Sequence, residues 1–395
     1  MRMNTGECTR RWVGQFVQGT VSFGAQPWFP KRPLIIPRAL PLTVHAKVIV
    51  VHWIWIVRGS PDSATWSKRL RSVQFGGTLG WTYSSGRENV RLLTFTANGR
   101  TRAGLEVSGR IIDLAQAVAA ASGRQVTGFG DVVGVLEAGD SGLRSARQAQ
   151  DWISAELAAG RTPTHGGEQI VFDSGAVRIG PPIPRPGKII CLGRNYAEHA
   201  AEGGWQPPTV PILFAKFANT IIGPGDAIVL PKASQQMDYE AEFAVVIGER
   251  AKHASLEHAM GYVAGYMNLN DVSARDLQNE SSQWLRGKGG DTFAPCGPYL
   301  VTKDEIQDPH ALRIRGILNG EVMQDSNTRH LIFNVPFLIH HITKTMTLDP
   351  GDVISTGTPS GVGEHRKPPR FLRSGDVFRV EVEGLGSLEN PVVEE

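Results

Sequence analysis

Asp238-Tyr239-Glu240-Ala241-Glu242 sets two carboxylates two residues apart. In an extended chain alternate side chains share a face, so Glu240 and Glu242 project together, with α-carbons roughly 7 Å apart. Carboxylates at that spacing repel, and one is driven toward its protonated form unless a cation stands between them. A hard divalent cation resolves the conflict, because it takes oxygen ligands, at about 2.1 Å for Mg2+. The plainer alternative is a solvated strand face. Against it, the apolar run Phe243–Ile247 follows directly and places the pair at the mouth of a buried strand.

Three further groups can work beside such a pair. Asp271 ends the apolar stretch Tyr262–Asn270, where a carboxylate serves equally as a ligand or as the N-cap of a helix starting in Val272-Ser273-Ala274-Arg275. Lys288 sits in the glycine-rich stretch Gly287-Lys288-Gly289-Gly290. Its spacing is not that of a phosphate-binding loop; beside a metal its cation would steady an anion or a developing enolate. His199 and Glu202 lie three apart in Ala197-Glu198-His199-Ala200-Ala201-Glu202. On a helix they share a face, and a carboxylate-oriented imidazole is a general base for water; the bland alternative is a surface pair on an alanine-rich helix. Thr356–Gly363 is a loop of small residues whose N–H groups and Thr358 hydroxyl can cradle a carboxylate, or it is simply a cluster of turns.

The elements that must position these groups are mostly strands. Val90–Phe95 starts a strand, and Ala103–Val107 and Arg110–Leu114 form a hairpin about Ser108-Gly109. Ala115–Ser122 and Ser145–Ala159 read as helices. Gly180–Gly187 holds four prolines, which bar helix and central strand there. Beyond Lys188 follow apolar strands at Ile189–Leu192, Ile228–Leu230, Phe243–Ile247, Tyr262–Leu269 and Leu312–Leu318, the last reaching an Asn319-Gly320 turn. Val377–Val382 alternates as a half-buried strand does, and helices are expected at Leu256–Met260 and Val335–Thr345. Strand–helix alternation and a dinucleotide glycine fingerprint are both missing. The class is β-rich α+β, divided as 90–165 for a small N-terminal domain, 166–187 for a proline-rich linker and 188–395 for the catalytic domain.

Bulk properties fit an enzyme and expose a discontinuity. The 395 residues are 41% apolar and 20% charged, an ordinary globular balance. Residues 1–89, however, hold twelve Lys/Arg against three Asp/Glu, and six of the nine Trp. Either they are a basic, disordered extension, or the native protein starts near Val90 from an alternative start codon. Native peptides from residues 1–80, found by mass spectrometry, would sink the second reading. Cys8, Cys191 and Cys296 make no metal-type spacing, which suits a reducing compartment. The longest apolar stretch, Val48–Val57, is too short to span a bilayer, and no export signal is evident. A cytoplasmic protein with no membrane or nucleic-acid partner is expected.

Five ordered stretches together resemble the fumarylacetoacetate hydrolase family: 191–202 (CLGRNYAEHAAE), 238–248 (DYEAEFAVVIG), 265–278 (GYMNLNDVSARDLQ), 287–302 (GKGGDTFAPCGPYLVT) and 348–363 (LDPGDVISTGTPSGVG). The resemblance implies a mixed β-roll catalytic domain preceded by a small β-rich domain, usually as a homodimer. It implies Mg2+, or Mn2+ or Ca2+ in its place, on Glu240, Glu242 and Asp271, with Lys288 as enolate stabiliser. It makes His199–Glu202 the water-activating pair, and Arg194, Gln278 and Thr358 substrate contacts. Where full-length fumarylacetoacetases bring a further acidic ligand, this chain has Arg194 and Asn195, which argues against fumarylacetoacetate itself. The expected reaction is hydrolytic C–C cleavage of an acylpyruvate or related diketo acid through a metal-held enolate. The alternatives are isomerisation of a 2-hydroxyhepta-2,4-diene-1,7-dioate, or decarboxylation of a 5-oxopent-3-ene-1,2,5-tricarboxylate or oxaloacetate. A binding protein that has lost turnover is the alternative of another class.

Overall fold

The computed structural model describes residues 90–395; the expectations for residues 1–89 lie outside them. The path of the main sheet is built from β1 (Arg91–Ala97), β2 (Arg100–Val107), β3 (Arg110–Asp113), β4 (Val171–Asp173), β5 (Ile189–Gly193), β6 (Ile212–Lys216), β7 (Ala241–Ile247), β8 (Val263–Asn270), β9 (Ala294–Thr302) and β10 (Val353–Ser355). Their order across the sheet is β4-β3-β2-β1-β9-β8-β7-β10-β5-β6. Arg178–Gly180 adds to β1 and Ile221–Ile222 to β9, making twelve strands. Pairing along the path is antiparallel except between β10 and β5. A second, five-stranded sheet runs in the order Ile228–Leu230, Ser387–Glu394, Val377–Val382, Arg313–Leu318, Glu321–Asn327.

Strands β7 and β8 are buried along their whole length, because both faces of the sheet are covered there. Phe243, Val245 and Tyr266 pack with Ile314, Phe378 and Val380 of the second sheet and with Leu338 and Ile342 of a helix at Val335–Thr343. Ala244, Val246 and Met267 point the other way, toward α1 (Leu114–Ser122), α2 (Val132–Glu137) and α3 (Gly139–Ala158). Burial on both faces is what an unbroken apolar run encodes. Each fully buried side chain of this kind contributes about 1.5–3 kcal/mol. The fold is therefore strand-rich α+β, as the sequence predicts.

Helix boundaries depart from expectation. Helix α2 is not legible in the sequence, because Gly134 interrupts its six residues. Helix α3 begins at Gly139, ahead of Ser145. In place of a helix at Leu256–Met260 there is a 3-10 turn at Ala259–Tyr262. There Ser255 Oγ accepts the His258 N–H at 3.3 Å, a local bond that competes with a helical first turn. No helix among the described residues is long and apolar enough to cross a membrane.

Candidate active site

The antiparallel register of β7 and β8 pairs Ala241 with Asn270. Glu240, one residue before β7, therefore lies beside Asp271, one residue after β8, and the Asp271 N–H donates to the Glu240 carbonyl at 2.9 Å. Glu242 follows on the same face of β7. The three carboxylates are buried, and each offers an oxygen within 4.8 Å of the others. The cap reading of Asp271 fails: the next helix, α5 (Arg275–Asn279), starts later and has no side-chain cap.

Two of these carboxylates already have cations. Lys288, at the end of the short helix α6 (Leu285–Lys288) rather than in an open loop, places Nζ 2.9 Å from Glu240 Oε2 and 3.0 Å from Asp271 Oδ2. Lys216 Nζ lies 2.8 Å from Asp271 Oδ1, and Arg275 Nη2 lies 2.7 Å from Glu240 Oε1. Burial works against ionising Glu240, but Lys288, Arg275 and His199 hold its carboxyl below the usual range. Burial would also strip Lys288 of its proton; Asp271 and Glu240 overcome it and raise the ammonium's pKa.

Among the described residues Glu242 has no cation partner. Its Oε2 accepts from Ser355 Oγ and, at 2.9 Å, from the Gly357 N–H. Its Oε1 is buried without any hydrogen-bond partner among the described residues. Burial first, then repulsion from Asp271 and Glu240, pushes this carboxyl well above the carboxylate range. An orphaned buried oxygen facing two further carboxylates fits an oxygen-seeking divalent cation. The donor close to Glu242 depends on a glycine: Gly357 has φ +98°, and a Cβ there would stand 2.8 Å from that of Asn195.

Across the cleft stands His199 on α4 (Ala197–Glu202). Its Nδ1 is 2.8 Å from Glu202 Oε1, while Glu202 Oε2 accepts the Gly361 N–H at 2.8 Å. The carboxylate is thus pinned from behind, and a proton held on Nδ1 leaves Nε2 with the lone pair. His199, Glu240, Lys288, Arg194, Gln278 and Thr358 all line one cleft; Glu202, Glu242 and Asp271 do not line it. Gln278 accepts from Arg275 Nη1 at 3.1 Å. The Thr358 hydroxyl donates to the Ala241 carbonyl at 2.9 Å and accepts from Gln324 Nε2 at 2.8 Å. Its proton is therefore committed to β7. Asn195 is structural: its amide ties the chain to Phe333 and Thr356 by three bonds.

Several residues of the site escape sequence reasoning. Lys216 is fully buried and donates to the carbonyls of Val272, Lys288 and Phe293; nothing near it in the chain signals this. Asp238 accepts from Arg275 Nε at 2.9 Å and from the N–H groups of Gly363 and Glu364. Asp238 and Arg275 sit inside the recognisable stretches, so their charge was visible but not their partner. The cleft's outer wall, formed by Trp205, Trp284 and His365, left no trace in spacing.

The family described as fumarylacetoacetate (FAA) hydrolase C-terminal matches residues 188–393. An oxaloacetate tautomerase of Xenopus laevis, named as mitochondrial, is 46% identical over 260 residues, 65% of this chain and 77% of that protein. Among solved structures, a putative HpcE protein from Mycobacterium smegmatis has a TM-score of 0.63 and 34% identity over 77% of this chain and 99% of its own. A 2-hydroxyhepta-2,4-diene-1,7-dioate isomerase from Mycobacterium marinum has a TM-score of 0.57 and 30% identity, covering 78% and 99%.

Proposed function

Because the chain belongs to the fumarylacetoacetate hydrolase family, we propose that it isomerises a 2-oxo acid between keto and enol forms. In this reading Glu240, Glu242 and Asp271 hold a divalent cation, Mg2+ in the first instance. When bound, that cation supplies Lewis-acid stabilisation of adjacent carboxylate and keto oxygens.

The observation that carries the reading is that His199, Lys288 and Glu240 line the same cleft, with Glu242 and Asp271 clustered with Glu240. His199 Nε2 takes the proton from the carbon beside the keto group. The C–H electron pair moves into the new C–C double bond, and charge develops on the keto oxygen. Lys288 lies where an ammonium stabilises that charge, a type of contact worth about 2.7–4 kcal/mol to a transition state. Glu202 keeps the imidazole in one tautomer, and the protonated His199, in exchange with solvent, returns a proton to the oxygen to complete the enol and regenerate the base. Arg194 and Gln278 orient the substrate, while Thr358 fixes its loop to β7. The names of the relatives support isomerisation over the hydrolysis expected from the sequence.

The test is exchange of the C3 protons of oxaloacetate in D2O, followed by NMR. Mg2+-loaded protein should accelerate exchange beyond Mg2+ alone, chelation should abolish the effect, and added Mg2+ should restore it. No acceleration by the loaded protein would sink the reading.

A second reading is retained because Glu202 is pinned by Gly361. A base held so firmly can act on water as well as on a C–H bond, which would cleave an acylpyruvate. Acetylpyruvate cleavage tests it. Decarboxylation of oxaloacetate needs no base, so its survival in His199→Ala would separate it from both.

A further inference from the structure

The cleft has two unlike ends. One end holds Lys288 and Glu240. At the outer end, the Arg194 guanidinium carbon lies 3.9 Å from the centroid of Trp205 and 5.9 Å from that of Trp284. Among the described residues no carboxylate pairs with it. A guanidinium laid on an indole face keeps its in-plane N–H donors free for a carboxylate. The backbone at Arg194 is left-handed, φ +55°, a conformation that residues other than glycine hold only where the surroundings dictate it.

His365 meets the same indole, its ring centroid 5.5 Å from that of Trp205 and 6.1 Å from that of His199. Its Nε2 is buried and has no hydrogen-bond partner among the described residues. A buried imidazole nitrogen left unpaired on a cleft wall calls for a bond that those residues do not provide. The neighbouring Glu364 cannot provide it freely, since it faces Arg275 at 3.4 Å and accepts from Asn279 at 3.3 Å. The outer end thus holds one cation and one imidazole with their polar atoms uncommitted, both against Trp205.

We propose that His365 is a specificity residue: with Arg194 it forms an anion-binding mouth that selects 2-oxo acids carrying a second carboxylate. The choice of a 2-oxo acid rests on the isomerase reading; the mouth itself is tested by binding. With its keto end at Lys288, the substrate lies along the wall that His199 and His365 form and turns its second carboxylate toward Arg194. His365 is not given a proton-transfer role. Its Nε2–H donates to the outer carboxylate, whose charge Arg194 balances.

Oxaloacetate and 2-oxobutanoate are the probes, since they share a four-carbon chain and differ by a carboxylate against a methyl group. Their affinities are measured by calorimetry on the Mg2+-loaded full chain, and their KM and kcat from C3–H exchange. His365→Phe keeps the ring and removes the nitrogen. It should weaken oxaloacetate binding and raise its KM about tenfold, the usual loss for one charge-assisted bond. Its kcat, and 2-oxobutanoate binding, should stay within about twofold. His365→Gln, which restores an N–H donor, should recover most of the loss. Equal shifts for both ligands, no shift for either, or a wild type that does not prefer oxaloacetate would overturn the proposal. Preserved discrimination in binding with no C3–H exchange in wild type would count against the isomerase reading alone.

Discussion

Lys216 Nζ lies 2.8 Å from Asp271 Oδ1, and both side chains are completely shielded from solvent. The pair joins the far end of β6 to the end of β8. A buried charge that loses its partner costs about 3–5 kcal/mol, far more than the intact pair contributes. Lys216→Met should therefore destabilise the metal-free protein by about that amount. A saturating divalent cation, supplying the missing charge, should recover part of it. Thermal unfolding with and without Mg2+ checks this; equal losses in both conditions would mean that Asp271 does not face the metal.

Removing the ammonium of Lys288 acts on a different quantity. Lys288→Met should lower kcat about 100- to 1,000-fold, as for loss of one preorganised transition-state contact. Because the cation's three oxygen donors remain, Mg2+ affinity should hold or rise: the ammonium that competes for Glu240 and Asp271 is gone. Calorimetric titration with Mg2+ beside the exchange assay reads both. Weaker Mg2+ binding would place Lys288 in the metal site's scaffold instead.

The dyad predicts a graded series. His199→Ala removes the base and should cost 100- to 10,000-fold in kcat, the usual range for a positioned base. Glu202→Gln has a single acceptor oxygen for two N–H groups, so it keeps either the ring contact or the Gly361 N–H contact and loses the charge that fixes the tautomer; it should cost less. Equal losses in the two variants would argue that Glu202 does more than orient the ring.

Glu242 should set the pH dependence of the proposed metal binding. Its carboxyl is raised in the metal-free fold by burial and by Asp271 and Glu240. Above the ordinary carboxylate pKa the unfolded chain gives up this proton while the fold retains it. The fold then binds more protons than the unfolded chain, so metal-free stability falls as pH rises through that window. A cation must displace the proton, so its affinity should rise with pH over the same window, with proton uptake by the buffer. Calorimetry in buffers of different ionisation enthalpy measures that proton. Glu242→Gln should remove both the pH trend of the metal-free protein and most of the Mg2+-dependent rise in Tm.

Motif order was enough to assign the family and to point to Glu240, Glu242, Asp271, Lys288 and His199–Glu202, because each lies in a short recognisable stretch. Local spacing also determined part of the geometry. A two-residue strand period puts Glu240 and Glu242 on one face, and a helical i, i+3 step brings His199 to Glu202. What spacing does not contain is the partner across the chain. Asp271 read equally as a ligand or a helix cap until the β7–β8 register placed it beside Glu240. Lys216 reaches Asp271 and Lys288 from distant positions in sequence, and His365 meets Trp205 and His199 only in the closed cleft. Contacts of that kind are fixed by how strands pair and how faces are buried. Sequence alone therefore pointed to the groups proposed to carry chemistry, and the tertiary structure decided which of them a lysine or arginine already neutralises and that Glu242 faces none among the described residues.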